Sequence, residues 1–161
     1  MMRGMNTLAH GHRLRTGRCS ETGRGYLLTT VVQGRTPLFA DFDHARLAVQ
    51  AMRDCDGAGL SATLAFVLMP DHLHWLVQLH RGSLSALMGR FKSCSAAAVN
   101  RARGTPGVVV WQAGFHDHAI RDGQDIRAMA RYVIANPVRA GLVGSVGEYA
   151  HWDAVWVGGA R

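Results

Sequence analysis

Apolar residues along this chain fall into two rhythms, and the order in which they alternate predicts the architecture. Tyr26 to Val32 (YLLTTVV) is β-branched and apolar, the pattern of a buried strand, and Gly34-Arg35-Thr36-Pro37 breaks it. Ala45, Ala48, Val49 and Met52 then recur at helical spacing, with Asp43 as the predicted N-cap and Asp56-Gly57 as the stop. Leu60 to Met69 reads as a second strand, Pro70-Asp71 as a turn and His72 to His80 as a third strand, together a hairpin. Ser83 caps a second helix with the stripe Leu84, Leu87, Met88, Phe91 and Ala98, and Gly104 to Gly107 ends it. Val108 to Phe115 predicts a fourth strand. Asp122 or Asp125 caps a last helix whose stripe is Ile126, Met129, Ala130, Val133 and Pro137. The order β-α-β-β-α-β with a trailing helix is the split βαβ, ferredoxin-like pattern of the α+β class. Residues 1–24 read as a basic arm, 25–145 as one folded domain, and 146–161 as a tail carrying Trp152 and Trp156.

Composition narrows the class. The 161 residues suit one domain, and an apolar share of 48% is ordinary for a globular chain. The longest clear apolar run, Ala62 to Met69, falls well short of the roughly 20 residues that cross a membrane. The first 24 residues lack the hydrophobic segment of a secretory signal. Cys19, Cys55 and Cys94 are odd in number, far apart and without a C-x-x-C pair, which predicts small buried thiols in a reducing, cytoplasmic setting rather than a disulfide or zinc framework. The charge adds a partner class. Eighteen basic residues against eleven acidic ones give a net charge of +7, a footprint of nucleic-acid binding. All but Lys92 of the basic residues are arginine, whose planar fork suits phosphate, although a GC-rich genome would produce the same bias.

Three constellations could carry chemistry. Alternation along a strand projects His72 and His74 from one face, where two neutral imidazoles can chelate a divalent ion and leave positions open for a substrate oxygen. As an isolated motif, H-x-H is explained more simply by two hydrogen-bonded, half-buried histidines. Tyr132 and Asn136 lie one helical turn apart on one face; a boundary tyrosine and a C-capping Asn before Pro137 would look the same. His116-Asp117-His118, followed by Arg121, could be a second ligand pair, a phosphate contact or a polar strand end.

Taken together, the stretches Leu14 to Arg18, Tyr26 to Val32, Met69 to His74, Gly89 to Lys92, Val110 to Gln112, Phe115 to His118 and Arg131 to Leu142 resemble the HUH single-tyrosine transposases, specifically the REP-associated tyrosine transposase branch. The resemblance spans residues 14–156. It implies cleavage and strand transfer of single-stranded DNA at hairpin-forming repeats on a ferredoxin-like sheet, with the last helix carrying the nucleophile. Tyr132 then matches the nucleophile, His72 and His74 the paired metal ligands and Asn136 a third ligand, for Mg²⁺ or Mn²⁺. Arg15 and Arg18 match a segment that helps recognise the hairpin base. Arg90, Lys92, His116, His118, Arg121, Arg131 and Arg139 become candidate DNA contacts, and the state is a monomer or a homodimer. Two other readings remain. One is a non-catalytic hairpin-binding protein or repressor. The other is an RNA-binding module of the same topology, against which stands the missing aromatic sheet motif.

Overall fold

The computed structural model describes residues 20–157. Five antiparallel strands form one sheet: β1 (Gly25–Val31), β2 (Ser61–Leu68), β3 (His72–Leu79), β4 (His116–Ala119) and β5 (Trp152–Ala154), in the order β4-β1-β3-β2-β5. The first four strands have the ferredoxin-like arrangement that the element order predicts. Two long helices, α1 (Phe42–Gly57) and α2 (Leu84–Arg103), cover one face. There Leu28, Phe66, Leu73, Trp75 and Val77 meet Ala48, Val49 and Met52 of α1 and Leu87, Met88 and Phe91 of α2. The opposite face receives the shorter α3 (Ile126–Ile134), whose Ala130 packs with Ala65 and Leu76 and whose Val133 packs with Val67 and Met69. A one-turn helix, α4 (Asn136–Arg139), follows directly.

Local chemistry fixes the ends. Asp41, two residues before the predicted cap Asp43, accepts the His44 amide at 3.0 Å and begins α1. Ser83 accepts from the Ala86 amide at 3.1 Å, as predicted, and Gly104 ends α2 at a φ of 66° that favours glycine. Of the two candidate caps for α3, Asp125 makes the bond, accepting from the Ala128 amide at 3.1 Å.

Three expectations are corrected. Val108 to Phe115 is not a strand; within it only Trp111 makes an isolated bridge, to Val32. Side chains of α2 take this segment's polar groups instead. Asn100 donates to the Val108 carbonyl at 2.8 Å, Lys92 Nζ donates to the carbonyls of Gln112 (2.8 Å) and Gly114, and the Trp111 indole donates to Ser95 Oγ at 2.9 Å. The fourth strand is the polar stretch after it, His116–Ala119. The predicted tail contributes β5, paired to β2 through Ala65, Phe66 and Val67, with Trp152 and Ala154 packed near α3. The last residues of the predicted arm are docked as well. Ser20 Oγ accepts from the Leu84 amide at 3.0 Å, and Arg24 Nε donates to the Ile120 carbonyl at 3.2 Å. Arg15, Arg18 and Cys19 lie outside the described residues.

The two described cysteines carry free thiols, and only one is buried as expected: burial pushes the Cys55 thiol up to about 11, whereas Cys94, on the outer side of α2, is exposed. Alkylation of the native protein near pH 8 should therefore label Cys94 and spare Cys55, which reacts only after denaturation. Peptide mass spectrometry with and without urea reads this directly.

Candidate active site

The site grows from the pleat of β3. Leu73, Trp75 and Val77 point into the layer with α1 and α2, so His72, His74 and Leu76 must point to the other face. The turn at Pro70-Asp71 closes with the Met69 amide donating to the His72 carbonyl at 2.8 Å, which places His72 at the mouth of the strand. The two imidazole rings lie 4.8 Å apart between centroids, with planes at 90°. Each ring uses Nδ1 within the protein. His72 Nδ1 is 2.7 Å from Asp71 Oδ1, and His74 Nδ1 is 3.0 Å from Thr29 Oγ1 on the neighbouring strand. In both rings Nε2 is thus the nitrogen left for a ligand.

Electrostatics separates the pair. Burial, with the His72 and Arg139 charges added, pushes the His74 imidazole down to about 4, so it is neutral throughout the physiological range. Asp71 is pulled both ways: burial pushes its carboxyl up, but hydrogen bonding and charge from His72 and Arg35 win and hold it below the usual carboxylate range.

The three tyrosines differ sharply. Tyr26 is 3% exposed and its hydroxyl accepts from the Glu21 amide at 2.8 Å. Tyr149 donates to the Leu68 carbonyl at 2.5 Å, and burial pushes its phenol up to about 12. Tyr132 is 66% exposed on the outer side of α3. The Arg139 guanidinium lies 3.8 Å from the centre of its ring and donates to the Tyr132 carbonyl at 2.7 Å. The same guanidinium adds to the burial and the His72 charge that push the His74 imidazole down. Asn136 opens α4 immediately after Ala135, and its Nδ2 donates to the Val133 carbonyl at 3.1 Å, leaving Oδ1 as its remaining acceptor.

This arrangement can be set beside known proteins. The family described as "Transposase IS200 like" matches residues 25–136, which include the β-sheet core through β4, both histidines, Tyr132 and Asn136. The chain belongs to the IS200-like transposase family. It is 27% identical over 137 residues to a putative REP-associated tyrosine transposase of Haemophilus influenzae, covering 78% of this chain and 77% of that one. It is 31% identical over 87 residues to a REP-associated tyrosine transposase of Escherichia coli, covering 53% and 49%. Its fold is that of a REP-associated tyrosine transposase solved bound to a REP hairpin (TM-score 0.69, 24% identity, 84% of this chain and 79% of that one). A putative transposase of Deinococcus radiodurans is also similar (TM-score 0.52, 20% identity, 74% and 95%).

Within this IS200-like chain the remaining candidates divide by layer. In register, His74 lies opposite Thr29 and Thr29 opposite His116, while Leu27 lies opposite both Leu76 and His118. His116 and His118 therefore share the face of His72 and His74, two strands away, roughly 10 Å at about 4.8 Å per strand. Arg121, just past β4, lines a cavity of about 440 Å³ with Arg24 and His118. Arg131 is exposed on α3, 3.8 Å from Asp125. Arg90 and Lys92 are placed elsewhere: both ride on α2, on the far side of the sheet from the histidines. Among the described residues, no three His, Cys, Asp or Glu side chains converge on a point that would hold a metal ion.

Thr29, which contacts His74, and Arg35, which contacts Asp71, have no site role in the sequence pattern. Thr29 could have been found, because its odd position in β1 faces outward like His74. Arg35 could not, because its contact with Asp71 depends on how two turns meet.

The Lys92 ammonium holds two backbone carbonyls of the segment that leads into β4. Lys92→Met should lower stability to urea by about 1.5–3 kcal/mol, the range for hydrogen bonds to a charged group. The salt dependence of DNA binding should stay unchanged, whereas loss of a phosphate contact would reduce the slope by about 1.

Proposed function

We propose that the chain nicks and rejoins single-stranded DNA at hairpin-forming repeats, through a 5′-phosphotyrosine on Tyr132. The observation that carries this reading is the setting of Tyr132. Of three tyrosines it alone is exposed, and its ring lies against the Arg139 guanidinium. The H-x-H pair, Tyr132 and Asn136 all fall within the family match.

In this reading the Tyr132 oxygen attacks a scissile phosphate in line. The new Tyr O–P bond replaces the P–O3′ bond, the phenolic proton leaves to solvent, and the departing 3′-oxygen takes up a proton. A phenol of ordinary pKa near 10 is a better leaving group than a sugar hydroxyl, so another 3′-hydroxyl can reverse the link without ATP. In this reading Arg139 pairs with the phosphate, and His116 and His118, on the face of His72 and His74, follow the strand across the sheet.

The donor set fits a divalent cation in its chemistry. His74 is neutral, both Nδ1 atoms are engaged by oxygen, and Nε2 of each ring remains, with Asn136 Oδ1 as a third donor from α4. His72, His74 and Asn136 would hold Mg²⁺ or Mn²⁺, which when bound neutralises phosphoryl oxygens.

A second reading is hairpin binding without cleavage, in which the same sheet and basic residues hold DNA and Tyr132 performs no chemistry. The RNA-module reading loses ground, because α3 covers part of the sheet face that would have to stack bases. Incubation of hairpin-bearing single strands with Mn²⁺ or Mg²⁺ should give a covalent protein–DNA adduct, seen as a denaturation-resistant gel shift. Tyr132→Phe should remove it while leaving hairpin affinity within about twofold. Tight binding with no adduct in either metal would decide for the second reading.

A further inference from the structure

His72 is held more elaborately than a ligand at the mouth of a strand requires. A carboxylate only accepts hydrogen bonds, so the 2.7 Å contact with Asp71 Oδ1 places the proton on His72 Nδ1 and the lone pair on Nε2. Asp71 is itself gripped from behind: Arg35 Nη1 lies 3.4 Å from its other oxygen, Oδ2. Arg35 reaches that position from an unusual backbone. It alone among the described non-glycine residues has a positive φ, 51°, directly after Gly34 at 66°. Such a conformation at a long side chain persists only where the surroundings impose it.

The surroundings do. The Val32 amide donates to the Asp71 carbonyl at 2.8 Å, and the Arg35 amide donates to the Val32 carbonyl at 2.9 Å. The turn after β1 and the turn before β3 are thereby joined by backbone bonds, and the Arg35–Asp71 pair closes the same junction through side chains. His74 has a lesser version of this support. Its Nδ1 meets a hydroxyl, Thr29 Oγ1, which can donate or accept and so fixes the ring's place without dictating its proton.

We infer that Asp71, locked by Arg35, is the positioning residue of this site: it sets the tautomer of His72 and aims Nε2 at the open face. The functional consequence rests on the reading of His72 as a metal ligand; the tautomer itself does not. An anionic partner on Nδ1 also enriches the ring in electron density, which strengthens Nε2 as a donor. The two histidines are then unequal partners, one with a dictated proton and one free to choose.

Two measurements on the full chain separate the parts of this inference. Long-range ¹H–¹⁵N correlation spectra of the metal-free protein at pH 8.5 should show His72 protonated on Nδ1, and Asp71→Ala should abolish that preference. Mn²⁺ affinity, read by electron paramagnetic resonance of free Mn²⁺ without DNA, should fall about 10–100-fold in Asp71→Ala. Asp71→Asn, whose Oδ1 can still accept, should recover part of it. Arg35→Gly keeps the left-handed turn and removes the guanidinium, and should cost less than Asp71→Ala. Amide correlation spectra verify that each variant stays folded. His72 protonated on Nε2 in the native chain, or an Asp71→Ala protein matching it in tautomer and affinity, would overturn the inference. Native protein that shows the Nδ1 proton but takes up no Mn²⁺ upholds the positioning role and removes the metal reading instead.

Discussion

Register of β3 between β1 and β2 is the constraint on which the rest depends. The strand is central, and its two faces bear incompatible sets: Leu73, Trp75, Val77 and Leu79 on one, His72, His74 and Gln78 on the other. A slip of one residue would drive two imidazoles into the layer under α1 and α2 and expose a tryptophan. Burying unpaired polar rings costs several kcal/mol, so the slip is strongly disfavoured. The same alternation fixes the fully buried Trp75, whose indole finds its one acceptor in Thr63 at 2.9 Å, beside the irregularity in β2 between Thr63 and Ala65. Core and site are thus set by one choice of pairing. The hydrophobic energy that selects the register also delivers the histidines to the open face.

Electrostatic differentiation follows from depth along that strand. His74, one step further in, loses water and comes under Arg139, while His72 at the mouth keeps a carboxylate partner. Tyr132 stands outside this gradient, exposed on α3, yet Arg139 ties it back. Ala135 separates α3 from the one-turn α4 that carries Arg139. Arg139, at the end of α4, lies over the Tyr132 ring and donates to the Tyr132 carbonyl.

Periodic elements were legible from the chain because burial writes a period into it. The alternation of β1 and β3, the stripes of α1 and α2, and the shared face of His72 and His74 all follow from local rules. So did the family resemblance, which the match over residues 25–136 supports. What failed was decided by tertiary competition. Val108 to Val110 have strand composition, but Asn100, Ser95 and Lys92 on α2 claim the segment's hydrogen bonds, and the ladder begins only at His116. The three residues of β5 are too few to show an alternation. Asp41 displaced Asp43 as a cap through a choice of two residues that spacing cannot resolve. The same holds at the site. Arg35 touches the machinery through a contact 36 residues away in sequence, beyond the reach of any local pattern, whereas the alternation of β1 already turns Thr29 toward the face of His74.

The sheet's described edges carry a consequence of their own. β4 offers four residues and β5 three, and β4 is the polar run His-Asp-His-Ala. An unpaired edge is ordinarily a template onto which a second chain can add a strand, and from there a route to aggregation. Here each template is about one turn of ladder long, and one is rimmed with imidazoles and a carboxylate. Strand-to-strand extension would gain few backbone bonds at either end. The sheet is thereby guarded along both rims, and the part of its histidine face that α3 leaves uncovered is bounded by edges that resist pairing with another chain.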